Sequence, residues 1–537
     1  MHGRVKVRTT EEEIARKKKE RQEKLKKFKY AMQKIQSKRS QGELDKELLE
    51  LTGNVLSGNP DIYTLWNIRR EIFTIFVKDD AMQEELSSMF DAELQLTEYC
   101  LKINPKSYGA WHQREWVLTT RSDPNWAQEL AVCNKYLKFD ERNFHTWDYR
   151  RFVVSKCKPP LKDEFDFTTE KLHDNFSNYS AWHYRSKMLV ALYPDLEGGR
   201  PIEDSHHKHE LKMVQSAAFT DPDDTSAWFY QRWLLGAVKN SKHLVVVTVT
   251  PSKATLAFNQ HVSYDHVKEK INITFNKLPV TGNWLSCTEN QYDNLWIFKH
   301  NETILDDMEI EVHYDGDDGK QTITCMRVIP NTFVGKNKIS FQKNYSEPVI
   351  KELETQLDAC RQLLALEPDN KWTLLTTTVF LYCIDAKLYH NEVIQNLQTL
   401  KSIDKLRDGY YNDLKTKWCI ENQLYNDFEN NSISLKISFD EKITSLPHLQ
   451  YYSYCENVDL SDQKLSNKVL PSLVVLQNCK NLSLRNNKLT TLRGFPSLEL
   501  EVLDLQNNDL DKTEVALLQE KLNCNIIFRL NHKYLDR

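Results

Sequence analysis

The sequence predicts a mainly helical protein that carries an inserted all-β domain and a C-terminal leucine-rich-repeat domain. Three patterns lead to this fold class: a tryptophan-anchored repeat with helical periodicity, a run of short alternating segments, and a repeated Leu-x-x-Leu-x-Leu-x-x-Asn-x-Leu motif. Their order along the chain gives four predicted segments. These are helical repeats at 1–242, an immunoglobulin-like β-sandwich at 243–345, a continuation of the helical repeats at 346–440, and leucine-rich repeats at 441–537.

Composition is typical of a globular protein of the cell interior. The chain has 537 residues, and 72 Lys and Arg against 76 Asp and Glu give a net charge of −4, which provides no global reason to expect nucleic acid as a partner. No run approaches the roughly 18 apolar residues of a membrane span, and the N-terminus lacks an apolar secretory core. We therefore expect a cytoplasmic protein without a membrane span. Its eleven cysteines, none in a C-x-x-C pair, are expected to be reduced thiols.

The N-terminal segment is strongly basic. The first 40 residues contain 15 Lys and Arg and 5 Asp and Glu, a local charge of +10. Such a run is compatible with a tail that binds nucleic acid or membranes. A loose apolar stripe that includes Leu25, Phe28 and Met32 runs through it, so we interpret the segment as a solvated amphipathic helix.

The helical repeat begins at about residue 43. Five tryptophans are separated by 45, 36, 35 and 46 residues, and in the first two copies a proline stands six residues before the tryptophan. Four of them are followed at i+3 by an arginine: Trp66 and Arg69, Trp111 and Arg114, Trp147 and Arg150, and Trp182 and Arg185. The fifth, Trp228, is followed by Gln231 and Arg232. A sixth, degraded copy contains Trp372, with its proline only four residues before it.

Each copy predicts a helix, a turn and a second helix. The segment before each turn has apolar residues at three- and four-residue intervals, and an Asn-Pro or Asp-Pro dipeptide at some of the turns ends one helix and starts the next. Tryptophan and arginine at i and i+3 share a helix face. We expect the indole to fill the groove towards the next hairpin and the guanidinium to pair with a carboxylate across the unit boundary. Their main predicted role is core packing in an array of hairpins.

Between the fifth and sixth copies the apolar pattern becomes alternating. Runs such as 243–258, 271–276, 294–300, 309–315 and 320–329 read as strands separated by turns, which favours an antiparallel sandwich. Cys287 and Cys325 could face each other as in immunoglobulin domains, but we expect free thiols in a reducing compartment.

Three leucine-rich copies follow at the C-terminus. Their motifs begin at Cys455, Cys479 and Leu500, so successive copies are 24 and 21 residues apart. The asparagine of the motif is expected to satisfy backbone groups at the turn of a coil.

Self-contained catalytic motifs are missing from the sequence. It contains no P-loop, Rossmann glycine fingerprint or H-E-x-x-H motif. The run His206-His207-Lys208-His209 follows a glycine-containing loop and is predicted to be a solvated loop rather than a metal site. Lys106 stands on the turn before a repeat helix with Tyr108 nearby, where a cation and a phenol could reach an anion. From these residues alone, an exposed turn lysine remains the simpler interpretation.

The repeats, above all NPKSYGAWHQR and NFHTWDYRR in the second and third copies, closely resemble those of protein prenyltransferase α subunits. The resemblance covers about 43–240 and extends past 346. It implies a right-handed α-α superhelix of helical hairpins wrapped around a β subunit that holds a catalytic Zn²⁺. The opening MHGR, the inserted strands and the leucine-rich repeats match the branch of this family that modifies Rab GTPases.

The resemblance also implies a function. The heterodimer would transfer geranylgeranyl from geranylgeranyl diphosphate to C-terminal cysteines of Rab GTPases presented by Rab escort protein, and this chain would be inactive without the β subunit. In the family a lysine of the P-K-x-Y turn, here Lys106 with Tyr108 close by, contacts the diphosphate. Asn143 and His145 would lie at the same rim, in the interface with the β subunit, and the tryptophan and arginine anchors assigned to this interface would be largely structural. His2 could reach the zinc of the partner.

Two other functions remain open from the sequence. Helical hairpins with leucine-rich repeats also form non-catalytic interaction scaffolds. The chain could also be the α subunit of another protein prenyltransferase, although the inserted and C-terminal domains disfavour this.

Overall fold

The structure is a computed structural model, which describes residues 11–197, 200–238, 241–428, 430, 432–439 and 442–529. The chain forms two compact units, Met1–Leu192 and Tyr193–Arg537. In the described part of the chain no helix is both long and apolar enough to cross a lipid bilayer.

The first unit is an array of helices in which α2 to α9 form four successive hairpins. Its helices are α1 (Glu11–Ser40), α2 (Lys46–Leu56), α3 (Tyr63–Phe76), α4 (Gln83–Ile103), α5 (Tyr108–Thr120), α6 (Trp126–Phe139), α7 (Phe144–Cys157), α8 (Leu161–Asp174) and α9 (Tyr179–Leu192). The described part of the basic N-terminal segment, Glu11–Ser40, is helical as predicted. Near the end of α1 the buried Lys38 Nζ contacts three carboxylates: Glu47 at 2.8 Å, Asp45 at 2.9 Å and Glu43 at 3.0 Å. These contacts raise the pKa of the Lys38 ammonium group.

An indole hydrogen bond explains the constant spacing in the turns. In each of five copies the tryptophan Nε1 donates to the backbone oxygen six residues earlier: Trp66 to Pro60 at 2.8 Å, Trp111 to Pro105 at 3.0 Å, Trp147 to Glu141 at 2.8 Å, Trp182 to Phe176 at 2.8 Å and Trp228 to Pro222 at 3.0 Å. The bond satisfies a turn carbonyl and the indole N–H together, so the turn length and the tryptophan position are fixed to each other.

The second unit contains the remaining helices and both sheets. Its first helices are α10 (Asp204–Thr220) and α11 (Thr225–Gly236), and after the antiparallel strands come α13 (Glu347–Leu366), α14 (Lys371–Asp385), α15 (His390–Ile403) and α16 (Asp408–Asp427). The antiparallel segment contains β1 (Leu244–Val249), β2 (Lys253–Ser263), α12 (Tyr264–Lys270), β3 (Ile271–Phe275), β4 (Leu278–Pro279), β5 (Asn283–Ser286), β6 (Tyr292–Lys299), β7 (Ile310–Gly316), β8 (Gly319–Ile329) and β9 (Thr332–Lys336). The degraded sixth copy is a hairpin of α13 and α14, and its Trp372 is buried.

The antiparallel strands form one continuous nine-stranded sheet in the order β4-β3-β7-β8-β9-β1-β2-β6-β5, whereas the sequence predicted a sandwich of two sheets. Strand β8 makes the connection, because Gly319 to Cys325 pair with β7 and the residues from Met326 onward pair with β9. The sheet curls around an apolar core that includes Leu256, Trp296 and Val312.

We expect the thermal unfolding midpoint of the chain to be the same with and without a reducing agent. All eleven cysteines are free, nine of them buried, and Cys287 and Cys325 do not form a disulfide. Burial raises the pKa of the Cys325 thiol to about 12, so it is unreactive near neutral pH. Differential scanning calorimetry, with peptide mapping for disulfides, checks this prediction, and a disulfide between these two cysteines would contradict it.

The C-terminal segment is a parallel coil. Its strands are β10 (Ser434–Lys436), β11 (Asn457–Asp459), β12 (Asn481–Ser483), β13 (Val502–Asp504) and β14 (Asn525–Ile527), with α17 (Lys512–Leu522) before the last strand. The first strand begins before the predicted boundary at 441. As expected for the motif, the buried Asn487 bonds to backbone: its Nδ2 donates to the Leu460 oxygen at 2.9 Å, and its Oδ1 accepts from the Leu465 N–H at 3.0 Å.

Candidate functional site

The candidate site is the turn between α4 and α5, which carries Lys106. The Lys106 backbone N–H donates to Asn104 Oδ1 at 3.1 Å, and Ser107 caps α5 by accepting from the Ala110 N–H at 3.4 Å. The turn is therefore held by local bonds, while the Lys106 side chain is exposed and has no ion pair among the described residues. An ammonium group beside a helix N-terminus is suited to binding an anion.

Three rings lie beside this turn. The Tyr108 ring is 4.3 Å from the His145 ring in an edge-on arrangement, and the Phe144 ring is 3.9 Å from that of His145, measured between centroids. Tyr108 is 59% exposed whereas His145 is 6% exposed, so the phenol is accessible and the imidazole is covered.

The surroundings of His145 disfavour its protonated form. Burial lowers the pKa of His145 and the charge of Lys106 lowers it further, although Asp148 acts in the opposite direction. At neutral pH the imidazole therefore adds no positive charge to the turn, and the charge comes from Lys106.

Asn143 connects the α7 N-terminus to the turn that carries Lys106. Its Oδ1 accepts from the His145 N–H at 3.0 Å, and its Nδ2 donates to the Pro105 oxygen at 3.1 Å. The residue is 3% exposed. The structure thus brings the four predicted rim residues Lys106, Tyr108, Asn143 and His145 together, with Asn143 placed where it positions the other groups.

The tryptophan and arginine anchors lie inside the array, as core packing predicts. Each arginine from the first three copies pairs with a glutamate on the next helix, which confirms the predicted carboxylate partner: Arg69 Nε with Glu93 at 2.8 Å, Arg114 with Glu129 at 2.7 Å and Arg150 with Glu164 at 2.7 Å. Arg185 donates to Thr169 Oγ1 at 2.7 Å and lies over the Phe165 ring.

The sequence did not reveal these glutamates, nor the second side chain that donates to each of them beside the arginine. Gln113 donates to Glu93, Tyr149 to Glu129 and Tyr184 to Glu164, at 2.8, 2.9 and 3.0 Å. This second donor always stands two residues after a repeat tryptophan, so its regular position was present in the sequence. Each carboxylate therefore joins two successive units.

The histidine run was wrongly predicted to be a loop, because His206, His207 and His209 belong to the first turns of α10. His207 is buried and bonds to the Leu234 oxygen through Nε2 at 3.0 Å, and His206 stacks on Tyr193. Helix α10 is the first helix of the hairpin that α11 completes, so this segment continues the pattern of the repeat.

The described residues contain no group of three or more His, Cys, Asp or Glu side chains that could hold a metal ion. His2 lies outside the described residues.

Comparison with known proteins agrees with this architecture. The family described as "Protein prenyltransferase alpha subunit repeat" matches at residues 90–121, 126–157, 161–192 and 207–238. These are four of the tryptophan-anchored copies, each beginning on the first helix of a hairpin, and they place the array in the class of prenyltransferase α repeats.

Relatives match almost the whole chain. The human "Geranylgeranyl transferase type-2 subunit alpha" is 36% identical over 551 residues, covering 99% of this chain and 95% of the relative, and the pig protein of the same name gives the same values. The protein of that name from Saccharomyces cerevisiae is 35% identical over 244 residues, covering 44% of this chain and 72% of the relative. The chain therefore belongs to the family of geranylgeranyl transferase type-2 alpha subunits.

Proposed function

We propose that this chain is the α subunit of a cytoplasmic heterodimer that transfers geranylgeranyl from geranylgeranyl diphosphate to C-terminal cysteines of Rab GTPases presented by Rab escort protein. The observation that carries the proposal is the 36% identity, over 99% of the chain, to a relative named geranylgeranyl transferase type-2 subunit alpha. The Lys106 turn supports it, because it offers a positioned cation to a diphosphate.

The proposed contribution of this chain is stabilisation of the leaving group. When the thioether forms at the allylic carbon, the carbon–oxygen bond to the diphosphate breaks and negative charge grows on the diphosphate oxygens. The Lys106 ammonium and the Tyr108 hydroxyl would donate to these oxygens. The buried Asn143 keeps both helix N-termini in place, so the donors need little rearrangement.

The remaining chemistry is assigned to the β subunit. Zn²⁺ bound there would favour the thiolate form of the acceptor cysteine. The described part of this chain offers no complete ligand set for zinc, so we expect the isolated chain to be inactive.

Lys106→Ala is expected to slow single-turnover transfer by roughly 10- to 100-fold, because one donor to the leaving diphosphate is lost. Assembly with the β subunit should be unchanged, since the side chain is exposed and makes no ion pair among the described residues. Rapid-quench measurement of prenylated Rab, with size-exclusion chromatography of the dimer, checks both parts.

Lys156→Ala is the matched control. Lys156 is also exposed but lies in the last turn of α7, at the opposite end of its hairpin from the cap formed by Asn143. The control should retain the wild-type rate. An unchanged rate for Lys106→Ala in an assembled dimer would refute the leaving-group role, and a wild-type dimer without transfer activity would refute the proposed function itself.

A further inference from the structure

The boundary between the fifth and sixth helical units differs from the earlier ones. Where the first three copies have a buried Arg–Glu pair, Gln231 of α11 donates to Gln356 of α13 at 3.0 Å. The fifth copy does contain an arginine, but one residue further along, at Arg232. The charge pair is therefore replaced by an amide pair, and the cation is directed elsewhere.

Arg232 is half-buried, and it forms no ion pair with an acidic side chain in the part of the chain that the structure describes. Its Nε and Nη2 atoms are removed from solvent, and neither has a hydrogen-bond partner among the described residues. Burial lowers the pKa of Arg232, but a guanidinium group keeps its proton in proteins. A guanidinium group with two nitrogens removed from solvent and without an acceptor is costly, which indicates that an acceptor is supplied from outside the chain.

Other cations surround the same tryptophan. The Arg232 Cζ atom is 5.6 Å from the Trp372 ring centroid, the Arg407 Cζ atom is 4.6 Å from it and the Lys371 Nζ atom is 5.8 Å from it. Asp404 pairs with Arg407 at 2.8 Å, so it balances one of the three charges. We call Arg232, Lys371, Trp372 and Arg407 the Trp372 socket; its excess positive charge suits a carboxylate.

Exposed apolar side chains occur in the helix ends and turns that form the socket. Leu406, next to Arg407, is 89% exposed, and Leu366, at the end of α13, is 81% exposed. Phe229 and Tyr410 are 43% and 44% exposed, and the Phe229 ring is 5.8 Å from that of Trp372. Arginine and tyrosine within an exposed apolar surface are typical of a protein–protein contact, which favours a protein carboxylate over a free ion.

We propose that the Trp372 socket receives an aspartate or glutamate side chain of the β subunit. This inference rests on the proposed function. It assigns the contact to the β subunit because the excess positive charge of the socket calls for an acidic protein partner, and the β subunit is the partner that the proposed function gives this chain.

The test is Arg232→Met, which keeps the length of the side chain and removes its charge. Affinity for the β subunit, measured by titrating labelled β subunit with the full chain, should fall by at least roughly 30-fold because the partner's carboxylate loses its cation. The thermal midpoint of the free full chain should stay the same or rise, since an unpaired and partly buried charge is removed. Arg150→Met is the matched control for this midpoint: its partner Glu164 lies within the chain, so the midpoint should fall.

Three results would overturn the inference. The first is an active Arg232→Met dimer with wild-type affinity, which leaves the proposed function standing. The second is a fall in the free-chain midpoint as large as that of Arg150→Met, which would show a counter-charge within the chain. The third combines two observations: sodium sulfate, added at constant ionic strength, raises the midpoint of the wild-type chain but not of Arg232→Met, and the two proteins bind the β subunit with the same affinity. This result would show that a free oxyanion fills the socket. If the wild-type chain forms no dimer at all, the proposed function fails first.

Discussion

Glu129→Ala is expected to reduce the free energy of unfolding of the chain by about 3–5 kcal/mol. Glu129 is 3% exposed, and its carboxylate accepts from Arg114 Nε and Nη2, each at 2.7 Å, and from the Tyr149 hydroxyl at 2.9 Å. Burial by itself would lower the pKa of Arg114, yet the pairing with Glu129 raises it. Removal of the carboxylate leaves a buried guanidinium and a buried phenol without their acceptor.

Chemical denaturation of the variant and of two comparison proteins checks this expectation. Glu98→Ala removes a carboxylate from the same layer, but its bond to Lys135 is partly exposed, so the loss should stay below about 1 kcal/mol. The double variant Arg114→Met with Glu129→Leu should recover most of the stability, because well-packed apolar groups can replace a buried ion pair. If Glu129→Ala costs no more than Glu98→Ala, the pair does not hold the units together.

Gly109→Ala is expected to destabilise the chain by about 2 kcal/mol, although alanine is the better helix former. A Cβ atom at Gly109 would lie 2.6 Å from Trp66 Cδ1 and 2.7 Å from Trp66 Nε1. The indole cannot move away without losing its bond to the Pro60 oxygen, and it is 1% exposed. The steric cost therefore exceeds the gain of about 1 kcal/mol in helix propensity.

Gly409→Ala provides the opposite case. Gly409 lies in the first turn of α16, and a Cβ atom there would have no neighbour within 4 Å. The same substitution should leave stability unchanged or raise it by up to about 1 kcal/mol. Denaturation midpoints of the two variants should therefore move in opposite directions, and a stabilised Gly109→Ala protein would show that the indole can repack.

The sequence predicted the hairpins because their information is local. The indole bond spans six residues in five copies, so the tryptophan stands at a constant distance from its turn. The glutamate partners stand 24, 15 and 14 residues from their arginines, and this variable distance hides them from a search for fixed spacing. The pairing of β8 with both β7 and β9 was not predictable for a similar reason, because it depends on contacts between strands and not on a local pattern of residues.

The candidate site was predictable only in part. Lys106 and Tyr108 came from the resemblance of one turn to a family motif, and the structure adds their exposure and the bonds of Asn143. In the sequence Arg232 looks like one more arginine of the repeat. The lack of an acceptor for its Nε and Nη2 atoms depends on the residues around Trp372, which only the structure gives.

The shared turn carbonyls indicate where this architecture tolerates a change of length. The Pro60 oxygen accepts from Trp66 of its own copy and from Ser107 of the next copy. The Pro105 oxygen likewise accepts from Trp111 of its own copy and from Asn143 of the next. A residue added inside such a turn would break two bonds in two copies, whereas the span from one anchor to the next already varies from 35 to 46 residues. Insertions should accumulate between hairpins, and the nine-stranded sheet stands there, between α11 and α13. Loop grafts and fused domains should therefore be accepted after the second helix of a hairpin and rejected in the turn that precedes it.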